Sequence, residues 1–155
     1  RTHRGREEPV LIYADSSFLV SLYLRDANSE AAQAEMKLHS GGIALCRIAG
    51  LEVKNAFRLA VFRGWITPLQ EDRLQALFVS DSNGGFLRSL SFATDEVFAE
   101  SERLSDLHTA VSGNRSLDVL HVACALVADL QVFASFDARQ RKLAQSVGLR
   151  LAPEF

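Results

Sequence analysis

Four carboxylates stand in this chain where chemistry could use them. Asp15 follows directly on the apolar run 10–14 (VLIYA), and Asp137 follows the run 132–136 (VFASF). Short continuous apolar runs of this kind mark strands buried on both faces. In a sheet built from such strands the ligand site lies beyond their carboxyl ends. A single acid in that place often does no more than cap a helix or hold a turn. Two with the same placement make the bland account less comfortable. Glu52 falls in the early turns of the helix expected after another apolar run, on one stripe with Asn55 and Leu59. Asp118 falls in the first turn of an otherwise almost wholly apolar segment, 117–127 (LDVLHVACALV). A helix of that composition is buried on most sides, so its carboxylate needs a partner. The helix dipole supplies under about 1 kcal/mol at an exposed site.

Four carboxylates brought together would repel one another and raise each other's pKa values. A divalent cation removes the conflict, and oxygen-only ligands suit Mg²⁺ or Mn²⁺, ions that keep several waters and use few protein carboxylates. Such waters serve phosphodiester hydrolysis, one as the attacking hydroxide, while the metal neutralises the pentavalent charge. The charge balance agrees. With the four acids taken from the 19, 15 acidic residues face 17 basic ones, a mildly basic shell around an acidic centre that suits a phosphate-bearing substrate.

Positioning these acids falls to alternating strands and helices. Strands are expected at 10–14, 43–46, 132–136 and 149–151, and more weakly at 87–92. Helices are expected at 16–24, from Asn28 or Ser29 to Leu38, at 48–63, and from the capping box Thr67-Pro68-Leu69-Gln70 to just before Asn83. Further helices are expected at 94–111, from a Ser116 cap to Leu130, and at 138–147. Strands separated by helices imply βαβ units and a mostly parallel sheet, here of about four or five strands, flanked by helices. The fold class is α/β, in one domain over 10–155, with residues 1–9 a disordered or expression-derived tail.

Composition narrows the rest. A chain of 155 residues fits one domain able to bury roughly two thirds of its unfolded surface. With 48% hydrophobic residues and a net charge of −2, intrinsic disorder is excluded. The most apolar stretch, 117–136, is interrupted by Asp118, His121, Asp129 and Gln131, so no membrane span is expected. No secretory leader is expected either, since 1–9 (RTHRGREEP) is polar. Cys46 and Cys124 read as buried reduced thiols, and the protein as cytoplasmic.

Segment 13–20 (YADSSFLV) resembles the opening motif of PIN-domain ribonucleases, particularly VapC-type toxins. Segment 52–55 (EVKN) resembles their helical Glu, 117–123 (LDVLHVA) their Asp-led helix start, and 135–140 (SFDARQ) with Leu143-Ala144 and Gly148-Leu149 their closing segment. Each motif alone is weak. Four in order, from Leu11 to Leu151, are specific. The resemblance implies a PIN-like domain and a Mg²⁺- or Mn²⁺-dependent endoribonuclease with Asp15, Glu52, Asp118 and Asp137 as catalytic acids and metal ligands. Ser16, Asn55, Arg115, Ser135 and Arg139 are candidates to support them or touch the RNA substrate. It also implies a homodimer restrained by a small antitoxin protein that covers the site. Departures are small: Ser16 and Ser135 each replace Thr, and Val119 replaces Ala.

Other residues invite bolder readings. His121, one turn from Asp118, is expected to be a packed or hydrogen-bonded helix residue, not a ligand. Trp65 is expected to plug a gap between helices or sit in a dimer contact. Arg139, Arg141 and Lys142, and separately Arg47, Lys54 and Arg58, are expected on solvated faces, near enough to the acids to hold RNA phosphates. The alternative to an enzyme is a non-catalytic PIN-like module that binds RNA or protein. A haloacid-dehalogenase phosphatase needs a second Asp two residues after the first, where this chain has Ser17. A receiver domain needs acids paired near its first strand and a Lys after a late one; here Glu7-Glu8 precede the strand and no such Lys is present.

Overall fold

The computed structural model describes residues 10–155, so the tail expected at 1–9 lies outside the described residues. Its centre is β1 (Ile12–Ala14), whose three side chains are all fully buried. Around it lie β2 (Ile43–Leu45), β3 (Leu87–Ser89), β4 (Val132–Ala134) and β5 (Arg150–Ala152), in the order β3-β2-β1-β4-β5. Every pairing is parallel. The expected α/β class holds, with five strands. Central β1, β2 and β4 are apolar and buried throughout, as strands covered on both faces must be. The edges are covered only in part: β3 buries only Leu87 and β5 only Ala152, which is why 87–92 read weakly in sequence. The run 10–14 yields a shorter strand than expected because Val10 is already half exposed.

Helices α1 (Ser16–Tyr23) and α2 (Ser29–Leu38) connect β1 to β2, and α3 (Arg47–Phe62) and α4 (Pro68–Asn83) connect β2 to β3. The capping box of α4 forms as expected: Gln70 N donates to Thr67 Oγ1 and Thr67 N donates to Gln70 Oε1, with Pro68 at the first helical position. Gly42 ends the α2 link with φ +85, and a Cβ there would come within 2.9 Å of the Phe86 carbonyl oxygen. After α5 (Thr94–Leu104) the helix loosens into one π-helical turn, Ser105–Thr109, before α6 (Ala110–Ser112). Helices α7 (Ser116–Val127) and α8 (Ala138–Ser146) complete the chain. Two expectations at α7 need correction. Its cap is Arg115, one residue before Ser116, because the Arg115 amide is taken by the Asp118 carboxylate. It also stops at Val127, ahead of the left-handed Asp129. Among the described residues no helix is long and apolar enough to cross a membrane.

The chain steps from β1 to β2 to β3 in one direction, then returns to build β4 and β5 on the other side of β1. The strand order reverses between β1 and β4, and at such a switch point a crevice opens beyond the carboxyl ends.

Arg141 departs from the expected basic rim. It is buried, and its guanidinium donates to the carbonyls of Ser135 (2.9 Å), Ala152 (3.4 Å) and Pro153 (2.7 Å), with the Phe155 ring stacked on it. One cation thus ties the end of β4 to the end of β5. Replacing it by an apolar chain leaves those carbonyls short of donors, so Arg141→Met is expected to lose about 2–3 kcal/mol of stability, measured by urea denaturation.

Candidate functional site

Beyond the carboxyl ends of β1 and β4 lies an open cleft of about 870 Å³. Its lining includes Glu52 from α3, Asp118 and Arg115 from the start of α7, Asp137 and Gln140 from the start of α8, and Ser16 and Ser17 from α1. Asn55, Asp26 and Asn28 complete the polar wall, while Val20, Leu59, Leu117 and Phe136 supply an apolar one.

Asp15 does not line the cleft. It caps α1 and is fully buried beneath the serines: Oδ1 accepts from the Phe18 amide (3.0 Å) and Ser17 Oγ (2.7 Å), and Oδ2 accepts from Ser135 Oγ (2.6 Å). Burial pushes its carboxyl pKa up, against the pull of those donors. The serines extend the lock into the backbone, since Ser17 Oγ accepts from the Phe136 amide and Ser135 Oγ from the Asp137 amide.

Asp118 sits at the third position of α7 and is buried. Its Oδ2 accepts from the Arg115 amide (2.9 Å) and its Oδ1 from Gln140 Nε2 (3.2 Å), which supplies the partner its apolar surroundings demanded. Asp137 caps α8 through the Gln140 amide (3.0 Å) and is half-buried. Glu52, also half-buried, has one oxygen 2.7 Å from His121 Nε2 and the other accepting from Ser16 Oγ at 3.1 Å. Among the additional candidates, Ser135 is buried under the lock, whereas Asn55 and Arg115 are exposed on the cleft wall. Arg139 is exposed outside the lining, where its backbone carbonyl accepts from Asn114. Trp65 plugs no gap; it is 70% exposed, with the Arg63 guanidinium over its ring.

Sequence reasoning passed over Gln140, Ser17 and a buried chain that ends at Glu52. In that chain Tyr13 Oη lies 2.7 Å from His121 Nδ1 and donates to Cys46 Sγ at 3.1 Å. Burial disfavours a charge on His121, but its bonds to Cys46 and Glu52 outweigh that and hold its pKa up at about 10. The Cys46 thiol is pulled down, first by hydrogen bonding with Cys124 and then by His121. Both cysteines are free and buried, as expected. Gln140 had a signal: an Asp followed three residues later by Gln is a helix-start pattern.

The donor chemistry fits a divalent ion. Four carboxylates line one cleft, Glu52, Asp118 and Asp137 together with Asp26 of its polar wall; the donors they offer are all oxygens, and Gln140 Oε1 is buried with no hydrogen-bond partner. Among the described residues no three His, Cys, Asp or Glu side chains group tightly enough to hold one ion between them. An ion here would therefore rest on one or two carboxylates, Asp118 and Asp137 first, and fill its shell with water.

A family model for the PIN domain matches residues 12–146. No curated protein matches the sequence. Among solved structures, the chain is similar to VapBC2 from Rickettsia felis bound to a DNA fragment from its promoter, with a TM-score of 0.64 and 13% identity over 92% of this chain and 97% of that one. It is similar to VapC20 of Mycobacterium tuberculosis, a toxin that cleaves the sarcin–ricin loop, with a TM-score of 0.59 and 16% identity over 84% and 93%. A toxin–antitoxin complex from Klebsiella pneumoniae aligns with a TM-score of 0.58 and 13% identity over 83% and 88%. At these identities the likeness is one of fold.

The lock around Asp15 yields a stability prediction. Asp15→Ala removes the acceptor of three donors, two of them buried, and is expected to cost about 3 kcal/mol or more. Asp15→Asn keeps the shape and an acceptor while deleting a buried charge, so its melting temperature should stay within a few degrees of wild type. Differential scanning calorimetry of the two variants checks both.

Proposed function

The chain belongs to the PIN-domain family, and from that premise we propose that it is a divalent-metal-dependent endoribonuclease, the toxin of a VapBC-like toxin–antitoxin pair. One observation carries the reading: Glu52, Asp118 and Asp137, brought by three different helices, line one open cleft at the switch point of the sheet, with Asp15 locked beneath. Supporting it, the solved relatives include a toxin that cleaves the sarcin–ricin loop and complexes of toxin with antitoxin.

When bound, Mg²⁺ or Mn²⁺ supplies a water activated towards hydroxide and a counter-charge for the phosphoryl oxygens. Asp118 and Asp137 are its foremost holders, with Glu52 across the cleft and Asp15 contributing negative field from below. Arg115, exposed on the cleft wall, pairs with an RNA phosphate, and Asn55 donates to a phosphate or sugar oxygen. Ser16 holds Glu52, and Ser135 holds Asp15. Arg139 stands outside the cleft and can meet only a more distant phosphate. The helix hairpin α3–α4 leaves Phe62, Trp65 and Leu69 exposed, an apolar surface for the antitoxin. The protein acts as a homodimer in the cytoplasm, where its RNA substrate is.

One observation favours the second reading, a PIN-like module that binds RNA or a protein without cutting. Each acid is engaged by a donor of the chain itself, and no three of them converge.

The two readings separate on three measurements. Purified protein is expected to cut total RNA with Mg²⁺ or Mn²⁺ and to stop with EDTA, while Asp118→Asn loses at least 100-fold in rate with its fold intact by circular dichroism. Mn²⁺ at about 100 times its Kd is expected to add about 2.7 kcal/mol to wild-type stability and much less to Asp118→Asn/Asp137→Asn. Induction of the wild type is expected to arrest growth, with rescue by a small neighbouring reading frame; induction of Asp118→Asn is not. Metal-independent binding of RNA without cleavage, together with normal growth, would establish the second reading.

A further inference from the structure

Three of the four acids are held by backbone amides at helix starts: Asp15 by Phe18, Asp118 by Arg115 and Asp137 by Gln140. Glu52 alone has no such support. It lies within α3, its side chain is longer by one rotatable bond, and only side chains hold its two oxygens. Of these, Ser16 is half-buried at 3.1 Å, whereas His121 is fully buried and 2.7 Å away.

His121 cannot swing freely. It lies on α7 three residues beyond Asp118, so the two share one face of the helix. Its second nitrogen meets Tyr13 Oη at 2.7 Å. Tyr13 is itself fixed, because it belongs to the central strand β1, stacks on Phe133 of β4 with centroids 5.4 Å apart, and donates to Cys46 Sγ. An imidazole gripped at one nitrogen presents the other in a single direction, and here that direction is Glu52 Oε1.

Resting on the nuclease reading above, we propose that His121 is a positioning residue, which with Tyr13 behind it fixes the Glu52 carboxylate towards the metal-bearing cleft. It touches neither metal nor RNA. Its effect passes wholly through Glu52, in the way that outer partners of a metal ligand orient that ligand.

The test is Mn²⁺ titration calorimetry with RNA-cleavage kinetics on His121→Leu, His121→Gln, Tyr13→Phe, Glu52→Gln and the double variant Glu52→Gln/His121→Leu. His121→Leu is expected to weaken Mn²⁺ binding and lower kcat by about 10- to 100-fold, with KM for RNA little changed. His121→Gln, which restores an N–H donor, should recover part of that loss, and Tyr13→Phe should show a smaller one. On top of Glu52→Gln, His121→Leu should add nothing further. Should His121→Leu fail to fold, Tyr13→Phe carries the same comparison with one hydroxyl removed. A folded His121→Leu with wild-type Mn²⁺ affinity and kcat overturns the proposal even if it melts lower, and so does an equal loss in the Glu52→Gln background. If the wild type itself neither binds Mn²⁺ nor cuts RNA, the nuclease reading falls. The His121–Glu52 coupling is then read from urea unfolding of the metal-free single and double variants: non-additive losses support the fixing of Glu52, and additive losses overturn it.

Discussion

The 2.6 Å hydrogen bond from Ser135 Oγ to Asp15 Oδ2 is the contact on which the site depends. It joins the carboxyl end of β1 to that of β4 at the one place where the sheet order reverses. Elsewhere the two strands are held by ladder bonds, which specify no side chain, and by the stacking of Tyr13 on Phe133. Here a carboxylate with no exposure draws in two serine hydroxyls and a helix amide, and those serines accept the amides of Phe136 and Asp137. The strand ends cannot part without stranding several buried donors, a cost of about 1–3 kcal/mol for each. The cleft floor is rigid for that reason.

Carboxylates can crowd such a floor because helix starts converge on it. Asp15 and Asp137 cap α1 and α8, and Asp118 sits in the first turn of α7. Each helix start offers free amides and the positive end of its dipole, which offsets mutual repulsion among the acids. The same anchoring also keeps them apart, since a carboxylate bonded to its own helix cannot lean towards its neighbour. On the metal-dependent reading, an ion in such a cleft would keep much of its hydration shell.

The outline of this arrangement was legible in the sequence, and its wiring was not. The acids could be found because each breaks a local pattern: Asp15 and Asp137 end apolar runs, Asp118 interrupts an apolar helix, and Glu52 shares a stripe with Asn55. Those patterns span a few residues. The partners come from far away, with Tyr13 and His121 108 positions apart and Asp15 and Ser135 120 apart, and no local spacing encodes such a pairing. His121 is packed and hydrogen-bonded as its surroundings implied, but nothing nearby named Glu52 as its partner. Arg141 misled for a different reason. In the charged stretch 138–142 (ARQRK) it reads as solvated, yet Gln140, Arg141, Leu143 and Ala144 form the inward stripe of α8. Sequence periodicity underrates a cation that can satisfy itself on carbonyls.

The distance between the two halves of the lock also orders events in time. A growing polypeptide exposes Asp15 long before Ser135, 120 positions later, so the bond between them cannot close until β4 has been synthesised. Contacts of such long separation form late, because the loop entropy must be spent before they return anything. Any fragment ending before β4 therefore carries three of the acids on a sheet that lacks the strand beside β1. The floor of the cleft, and with it the placing of the acids above it, would take shape in one step once β4 has emerged and docked beside β1.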